Sequence, residues 1–323
     1  MGTKSWDLGI NEELEKVERR MKELVSSSQR LLTDISLHVI DAGGKRLRPT
    51  LSILSHHALH GNDLVRLIDI SAAMELIHSA TLVHDDINDG AEMRRGKKAA
   101  YRKYGLHEAI VTGDFLFARA FYIGGTFGKK IVELVAESTT HVAEGEMMQY
   151  AHRKDPKLSV DQYLKIIEGK TAYPIRTAAQ LGVCLAEGSS EDLRNFGEYG
   201  LNLGIAFQIV DDILDINGNE QNLGKMIGSD LREGNLTLPV ILARDHDKEI
   251  GKHIREFMKD EKPDEKKITD CLEMVRKSGA IKNSLEIAKG YAEGAKEYIE
   301  HVSASKYHER LMELTELVIN RAT

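Results

Sequence analysis

The sequence predicts an all-α fold, one large helical domain over residues 1–323, on three observations. Only five prolines, Pro49, Pro156, Pro174, Pro239 and Pro263, interrupt the chain, so long stretches lack the residue that most damages a helix interior. Apolar residues recur at three- and four-residue spacing almost from end to end. No sustained run alternates apolar and polar residues between hairpin turns, as paired strands would require.

Asn11 is placed to cap a first helix, with Glu12 and Glu13 in its first turn and Leu14, Val17, Met21 and Leu24 along one face. Leu31, Ile35 and Val39 mark a second helix, which Gly43 and Gly44 stop. From about 66 to 89 the chain is apolar on nearly every side, as expected of a central helix surrounded by others. Further helical patterns cover roughly 108–123, 129–152, 159–186, 190–216, 236–258, 265–277 and 281–321. The stretch 240–323, rich in Lys and Glu, is expected to provide packing and surface only. Segments 42–49, 90–98 and 217–235 have unusual composition and are the loops expected to carry function.

Charge and composition narrow the function classes. Lys and Arg number 44 against 51 Asp and Glu, a net charge of −7, which argues against a general nucleic-acid binder or a polybasic membrane-surface protein. No stretch approaches the roughly 18 uninterrupted apolar residues of a membrane span. Two cysteines, Cys184 and Cys271, are too few for a disulfide scaffold or a zinc cluster. The N-terminus lacks the layout of a signal peptide, so a cytoplasmic protein is expected.

Two acidic clusters carry the chemical signal. Asp85 and Asp89 are four apart and share a helix face, with Asp86 beside them. Such a pair repels by a few tenths of a kcal/mol when exposed, and by more in an apolar setting, so a cation is expected there. Gln208, Asp211, Asp212 and Asp215 fall at i, i+3, i+4 and i+7, a polar stripe on a helix whose other faces are apolar. Two such stripes facing each other across a bundle can supply all-oxygen ligands to hard divalent cations. Magnesium completes its shell with substrate phosphates, which implies a diphosphate between the clusters; a calcium loop would need a different acidic pattern with its own Gly and Glu.

Cations for that diphosphate are at hand. Gly43-Gly44-Lys45-Arg46-Leu47-Arg48-Pro49 is a glycine turn with three cations, and Arg94-Arg95-Gly96 follows the first acidic cluster. Gly169-Lys170-Thr171 interrupts an otherwise helical stretch, and Gly224-Lys225 with Gly228-Ser229-Asp230 punctuates the loop after the second cluster. His78 lies seven residues before Asp85, on the same helix face.

From Gly43 to Pro239, in order, these motifs resemble the trans-isoprenyl diphosphate synthases. The resemblance implies an all-α bundle around a deep central cavity, a homodimer, and head-to-tail 1′-4 condensation of isopentenyl diphosphate with an allylic diphosphate. It implies that Asp85, Asp89 and Asp211 hold two or three Mg2+ ions per site, with Asp86, Asp212 and Asp215 supporting or joining them. Arg94, Lys170 and Lys225 would hold the allylic diphosphate, and Lys45, Arg48, His78 and Arg95 the isopentenyl diphosphate. Thr171 and Gln208, with Lys170, would serve the reacting allylic group. No side chain is assigned as base, since the departing diphosphate can take the proton.

One departure stands out: the family usually carries a lysine where Asn235 follows Gly234, so one diphosphate contact is expected to be missing. Product length should depend on the wall formed by Thr81, Ala80 and Ile77, on the side of the helix running back from Asp85. In the family that the chain resembles, bulky aromatics at the first two positions form a floor that stops growth at C15 or, for one of them, C20. Both are small here, so C20 or longer, up to C40, is expected rather than a farnesyl-length product, unless an aromatic of Phe115-Leu116-Phe117 forms a floor. A non-catalytic partner subunit would usually lose carboxylates or cations, and both clusters are complete. A terpene cyclase would not need Gly44-Lys45-Arg46-Leu47-Arg48.

Overall fold

The computed structural model describes residues 6, 8–218, 227–260 and 263–322. Among them the chain is helical almost throughout, as the proline count and periodicity predict. It divides into two compact units, one formed by Met1–Glu137, Ile175–Gly197 and Ile299–Leu314, the other by Ser138–Pro174, Glu198–Tyr298 and Thr315–Thr323.

The first unit is organised around its longest helix. Helix α1 (Asn11–Leu24), α2 (Arg30–Ile40) and α3 (Leu47–Ala58) precede α4 (Leu64–Asn88), which packs against all three. Seven consecutive α4 residues, Ser71 to Ile77, are buried, so nearly two turns present no face to solvent. A short hairpin of β1 (Met93–Arg94) and β2 (Lys97–Lys98), then α5 (Ala100–Tyr104) and α6 (Leu106–Gly124), follow, with α6 lying along α4.

Several elements differ from expectation for identifiable reasons. Ile10, not Asn11, occupies the cap position of α1, where no side chain caps the helix; the completely buried Ile10 fixes its start. Helix α3 lies where the spacing predicts none: Pro49 is in its first turn, where a missing N–H costs nothing, and buried residues on several sides erase the amphipathic period. The hairpin, unexpected from the pattern, turns through Arg95 and Gly96, both with positive φ, the geometry of a two-residue hairpin loop.

Helix α7 (Lys129–Ala151) precedes the second unit's α8 (Val160–Ile167). The expected helix 159–186 is divided: a capping box of Ser159 and Gln162 starts α8, a π-helical turn spans Glu168–Ala172, and α9 (Tyr173–Leu185) follows. Helices α10 (Ser190–Asn217) and α11 (Ser229–Glu233) come next. The expected 236–258 splits into α12 (Leu238–His246) and α13 (Lys248–Met258) because the Asp247 side chain accepts from the N–H groups of Glu249 and Ile250 and starts a new helix. After α14 (Glu265–Lys277), the expected 281–321 becomes α15 (Ala280–Ile299) and α16 (Lys306–Ile319), followed by a 3-10 turn, Asn320–Ala322.

Candidate active site

In the first unit the acidic end of α4 and two basic segments, the glycine turn and the hairpin, converge. Gly90, at φ 69, ends α4: its N–H reaches the Ile87 carbonyl at 3.3 Å and the Ala91 N–H reaches that of Asp86 at 2.9 Å, the paired bonds of a Schellman stop. Asp85 and Asp89 are therefore held one turn apart on rigid helix. Asp86 points inward, 4% exposed, and Arg94 on β1 lies over it with Nε 2.7 Å from Oδ1. Burial pushes the Asp86 carboxyl up, with Arg94 partly offsetting this; the same carboxylates raise Arg94 against its own desolvation.

The hairpin turn carries Arg95 onto the glycine loop. Its guanidinium donates to the Gly43 carbonyl and packs on Gly44, whose φ of 152 favours glycine and where a Cβ would lie 2.6 Å from Arg95 Nη1 and push the guanidinium aside. Arg48, on the first turn of α3, and His78, on α4, complete the basic cluster. Burial first, then Arg48, Arg95, Arg46 and Arg94, hold the His78 imidazole well below its ordinary value, so it is neutral at pH 7. A neutral imidazole can donate one hydrogen bond to an anion without adding repulsion to the arginines.

The second unit brings the other motifs together. Lys170 sits in the π-helical turn, where the backbones of Gly145 on α7 and Gly169 touch; a Cβ on Gly145 would be 2.7 Å from the Lys170 nitrogen. Lys170 Nζ donates to Gln149 Oε1 at 2.9 Å and lies 2.5 Å from Glu146. Thr171 donates to Gln208 Oε1 at 2.8 Å, Gln208 donates to Asp212 Oδ1 at 2.8 Å, and Tyr163 donates to Asp212 Oδ2 at 2.6 Å. Asp212 is 3% exposed; burial, then Asp230, push its carboxyl well above the usual range.

Asp215 accepts from the Ser229 hydroxyl at 2.7 Å and the Asp230 N–H at 3.2 Å, which ties α11 to α10. Asp211, one turn before it, meets Arg321, whose guanidinium also lies 4.9 Å above the Phe207 ring. Lys170, Thr171, Gln208, Asp212 and Asn235 line one cavity of about 140 Å³, together with Tyr163 and His152. Gly224 and Lys225 lie outside the described residues.

A family model described as "Polyprenyl synthetase" matches residues 29–275. The chain belongs to the polyprenyl synthetase family. It is 37% identical over 225 residues to octaprenyl diphosphate synthase of Escherichia coli (strain K12), covering 69% of each chain. It is 35% identical over 314 residues to geranylgeranyl diphosphate synthase of Saccharolobus solfataricus, covering 94% of each. A crystal structure of a polyprenyl synthase from Caulobacter crescentus CB15, complexed with calcium and isoprenyl diphosphate, superposes with TM-score 0.93 at 34% identity, covering 99% of this chain and 100% of that one.

This polyprenyl synthetase is thus an enzyme, a trans-polyprenyl diphosphate synthase that condenses isopentenyl diphosphate with an allylic diphosphate to give long-chain products. Among the described residues of this synthetase, no three carboxylate, His or Cys groups gather as a metal-binding cluster. A hard, all-oxygen pair such as Asp85 and Asp89 nevertheless fits magnesium, which takes one or two carboxylates and fills its shell with water and phosphate. No described helix is long and apolar enough to cross a membrane. Three residues escaped the sequence reading, Glu75, Tyr163 and Arg321, and Arg46 is read there only as one of three cations in the glycine turn. Only Arg46, inside the glycine turn, carried a visible signal.

Proposed function

We propose that this synthase makes products of C20 or longer in a magnesium-dependent reaction, as a cytoplasmic homodimer with one site per subunit. The observation that carries the division of roles is the seating of Arg95 on Gly43 and Gly44, which joins the hairpin to the Lys45 and Arg48 turn beside neutral His78.

Lys45, Arg48, His78 and Arg95 bind the isopentenyl diphosphate and fix its double bond for attack. Arg94, Lys170 and Lys225 bind the allylic diphosphate. Asp85, Asp89 and Asp211 would hold the magnesium ions. Bound magnesium supplies positive charge against which the diphosphate leaves. Asp86, Asp212 and Asp215, each satisfied by protein donors, hold Arg94, Gln208 and α11 in place.

Breaking the allylic C–O bond develops a cation at the allylic carbon. The oxygens of Thr171 and Gln208, aligned by the chain of donors to Asp212, face that charge. The isopentenyl double bond supplies the electron pair of the new 1′-4 bond, and loss of a proton to the departed diphosphate restores a double bond. Apolar Leu158, Ile166, Ile167 and Leu236 in the cavity wall keep water from the cation. Exposed Ile110, Phe121 and Tyr122 on α6 offer an apolar face to a second copy.

The test is to incubate the protein with magnesium, labelled isopentenyl diphosphate and, separately, C5, C10, C15 and C20 allylic diphosphates. Separation of the dephosphorylated alcohols is expected to give a discrete product at C20 or beyond. A dominant C15 product overturns the length assignment, and turnover unaffected by chelation overturns the magnesium assignment.

A further inference from the structure

Beneath the basic cluster lies a buried ion pair with no place in the chemistry above. Arg46 is 6% exposed and Glu75, on α4, 2%. Arg46 Nη1 donates to Glu75 Oε1 at 3.0 Å, its Nε to Glu18 Oε1 on α1 at 3.1 Å, and its Nη2 to the Ile40 carbonyl at the end of α2 at 3.1 Å. One guanidinium therefore ties three helices together at the point where the glycine turn enters α3. It does so from a left-handed backbone, φ 52, which a residue with a Cβ adopts only when its surroundings impose it.

The neighbours of Arg46 on either side are Lys45 and, two residues on, Arg48. Glu75 Oε2 has no hydrogen-bond partner, and neither does the buried Arg48 Nε. Glu75 is also the acid whose charge acts on both Arg48 and Arg95. A carboxylate under an anion site weakens anion binding by simple charge, so its presence needs a compensating reason. That reason is mutual repulsion: Arg46, Arg48 and Arg95 crowd one another, and a buried guanidinium without a counter-ion is strongly disfavoured.

We propose that Glu75, acting through Arg46, is a positioning residue for the isopentenyl diphosphate site. The pair locks the left-handed turn that sets the directions of Lys45 and Arg48 and keeps the glycine backbone where Arg95 rests on it. This rests on the assignment of Lys45, Arg48, His78 and Arg95 to that substrate.

The experiment is steady-state kinetics of Glu75→Gln, with each substrate varied in turn. Loss of the charge is expected to raise the KM for isopentenyl diphosphate about tenfold, the effect of one charge-assisted contact, while kcat and the allylic KM change by less than about threefold. A purely structural role would lower the active fraction, and so the apparent kcat, without separating the two KM values. Equal rises in both KM values, or an unchanged KM for isopentenyl diphosphate, overturn the proposal. If Glu75→Gln does not fold, Glu18→Gln decides, because it loosens Arg46 from the half-exposed side. It is expected to raise the same KM about threefold and leave the allylic one alone; an unchanged value overturns the proposal. Arg48→Ala measured alongside separates the failures: if it too spares the isopentenyl KM, the site assignment falls, and if it alone raises that KM, only the role of Glu75 falls.

Discussion

Arg94 grips a single oxygen of Asp86, Oδ1, with Nε at 2.7 Å and Nη2 at 2.5 Å. The middle residue of the first acidic cluster is thereby committed to a protein cation that anchors the hairpin to the end of α4. Asp85 and Asp89, on either side of it, are the carboxylates proposed above to hold the metal. Asp86→Asn is expected to cost about 1–3 kcal/mol of stability through the weakened buried contact. Asp85→Ala is expected to leave stability nearly unchanged while lowering kcat about a hundredfold or more, as loss of a charge-stabilising group does. Thermal melts and initial rates on both variants check this. An Asp86→Asn protein that melts normally but is as inactive as Asp85→Ala would move Asp86 into the metal shell.

Tyr163, 3% exposed, supplies one of two donors to the buried Asp212. Tyr163→Phe leaves a carboxylate oxygen without that donor, and the cost of an unsatisfied buried group is about 1–3 kcal/mol. Asp212 orients Gln208, which in turn accepts from Thr171, so the disturbance reaches the group expected to face the allylic cation. The KM for the allylic substrate should rise more than that for isopentenyl diphosphate. Kinetics with each substrate varied decide it; an effect confined to isopentenyl diphosphate would place this cavity with the other substrate.

Arg321 rests on Asp211 through its guanidinium and on Phe207 through its face. A cation already paired with a carboxylate proposed to bind the metal would compete with that metal. Arg321→Ala is therefore expected to lower the magnesium concentration for half-maximal activity about threefold, the scale of a partly exposed ion pair. Magnesium titration of initial rate measures it. A higher magnesium requirement would mean that Arg321 supports the site instead of competing for it.

The candidate carboxylates and cations were legible as candidates because chemistry and spacing coincide within short segments, as at Asp85 to Asp89 and Gly43 to Arg48. Their supports were not, since each joins residues far apart in sequence: Arg46 with Glu75, Tyr163 with Asp212, Arg321 with Asp211. Helix existence followed from periodicity, but internal breaks depended on single polar groups. Asp247 is an instance: its carboxylate starts α13 inside what reads as one long apolar pattern. Helix α3 was hidden for the opposite reason, because burial on several sides removes the polar face that betrays a helix.

His56, on α3, is completely buried, and neither ring nitrogen has a hydrogen-bond partner. Burial first, then neighbouring His57, push its imidazole down to about 4. The unfolded chain takes up that proton near pH 6.5, the folded protein only near 4, so acid favours unfolding throughout that window. Stability is full above about pH 6.5 and declines as pH falls toward 4, with His56 contributing about 3 kcal/mol to the decline. His56→Leu keeps the apolar packing and removes the proton site, so the melting temperature should fall less steeply between those pH values. An identical slope in both proteins would assign the acid sensitivity to other groups, such as His78.

Product length is expected to depend on the wall residues of α4, Thr81, Ala80 and Ile77. Of the three wall residues, Ala80 is 0% and Ile77 8% exposed, whereas Thr81 keeps accessible surface. Helix α6 lies close here: a Cβ on Gly113 would fall 2.2 Å from His84 Nε2, and the Phe117 ring sits 6.1 Å from that of His84, with Phe121 a further 6.3 Å along. Thr81→Phe places an aromatic in the space that remains and should shorten the product. Ala80→Phe has no such space and should also cost about 1–3 kcal/mol through overpacking. Phe117→Ala should lengthen the product if the α6 aromatics form the floor. Chromatography of the alcohols from all three variants, beside melting curves, distinguishes the cases. If Thr81→Phe leaves the distribution unchanged while Phe117→Ala extends it, chain growth stops at α6 and the small residues of α4 do not govern length.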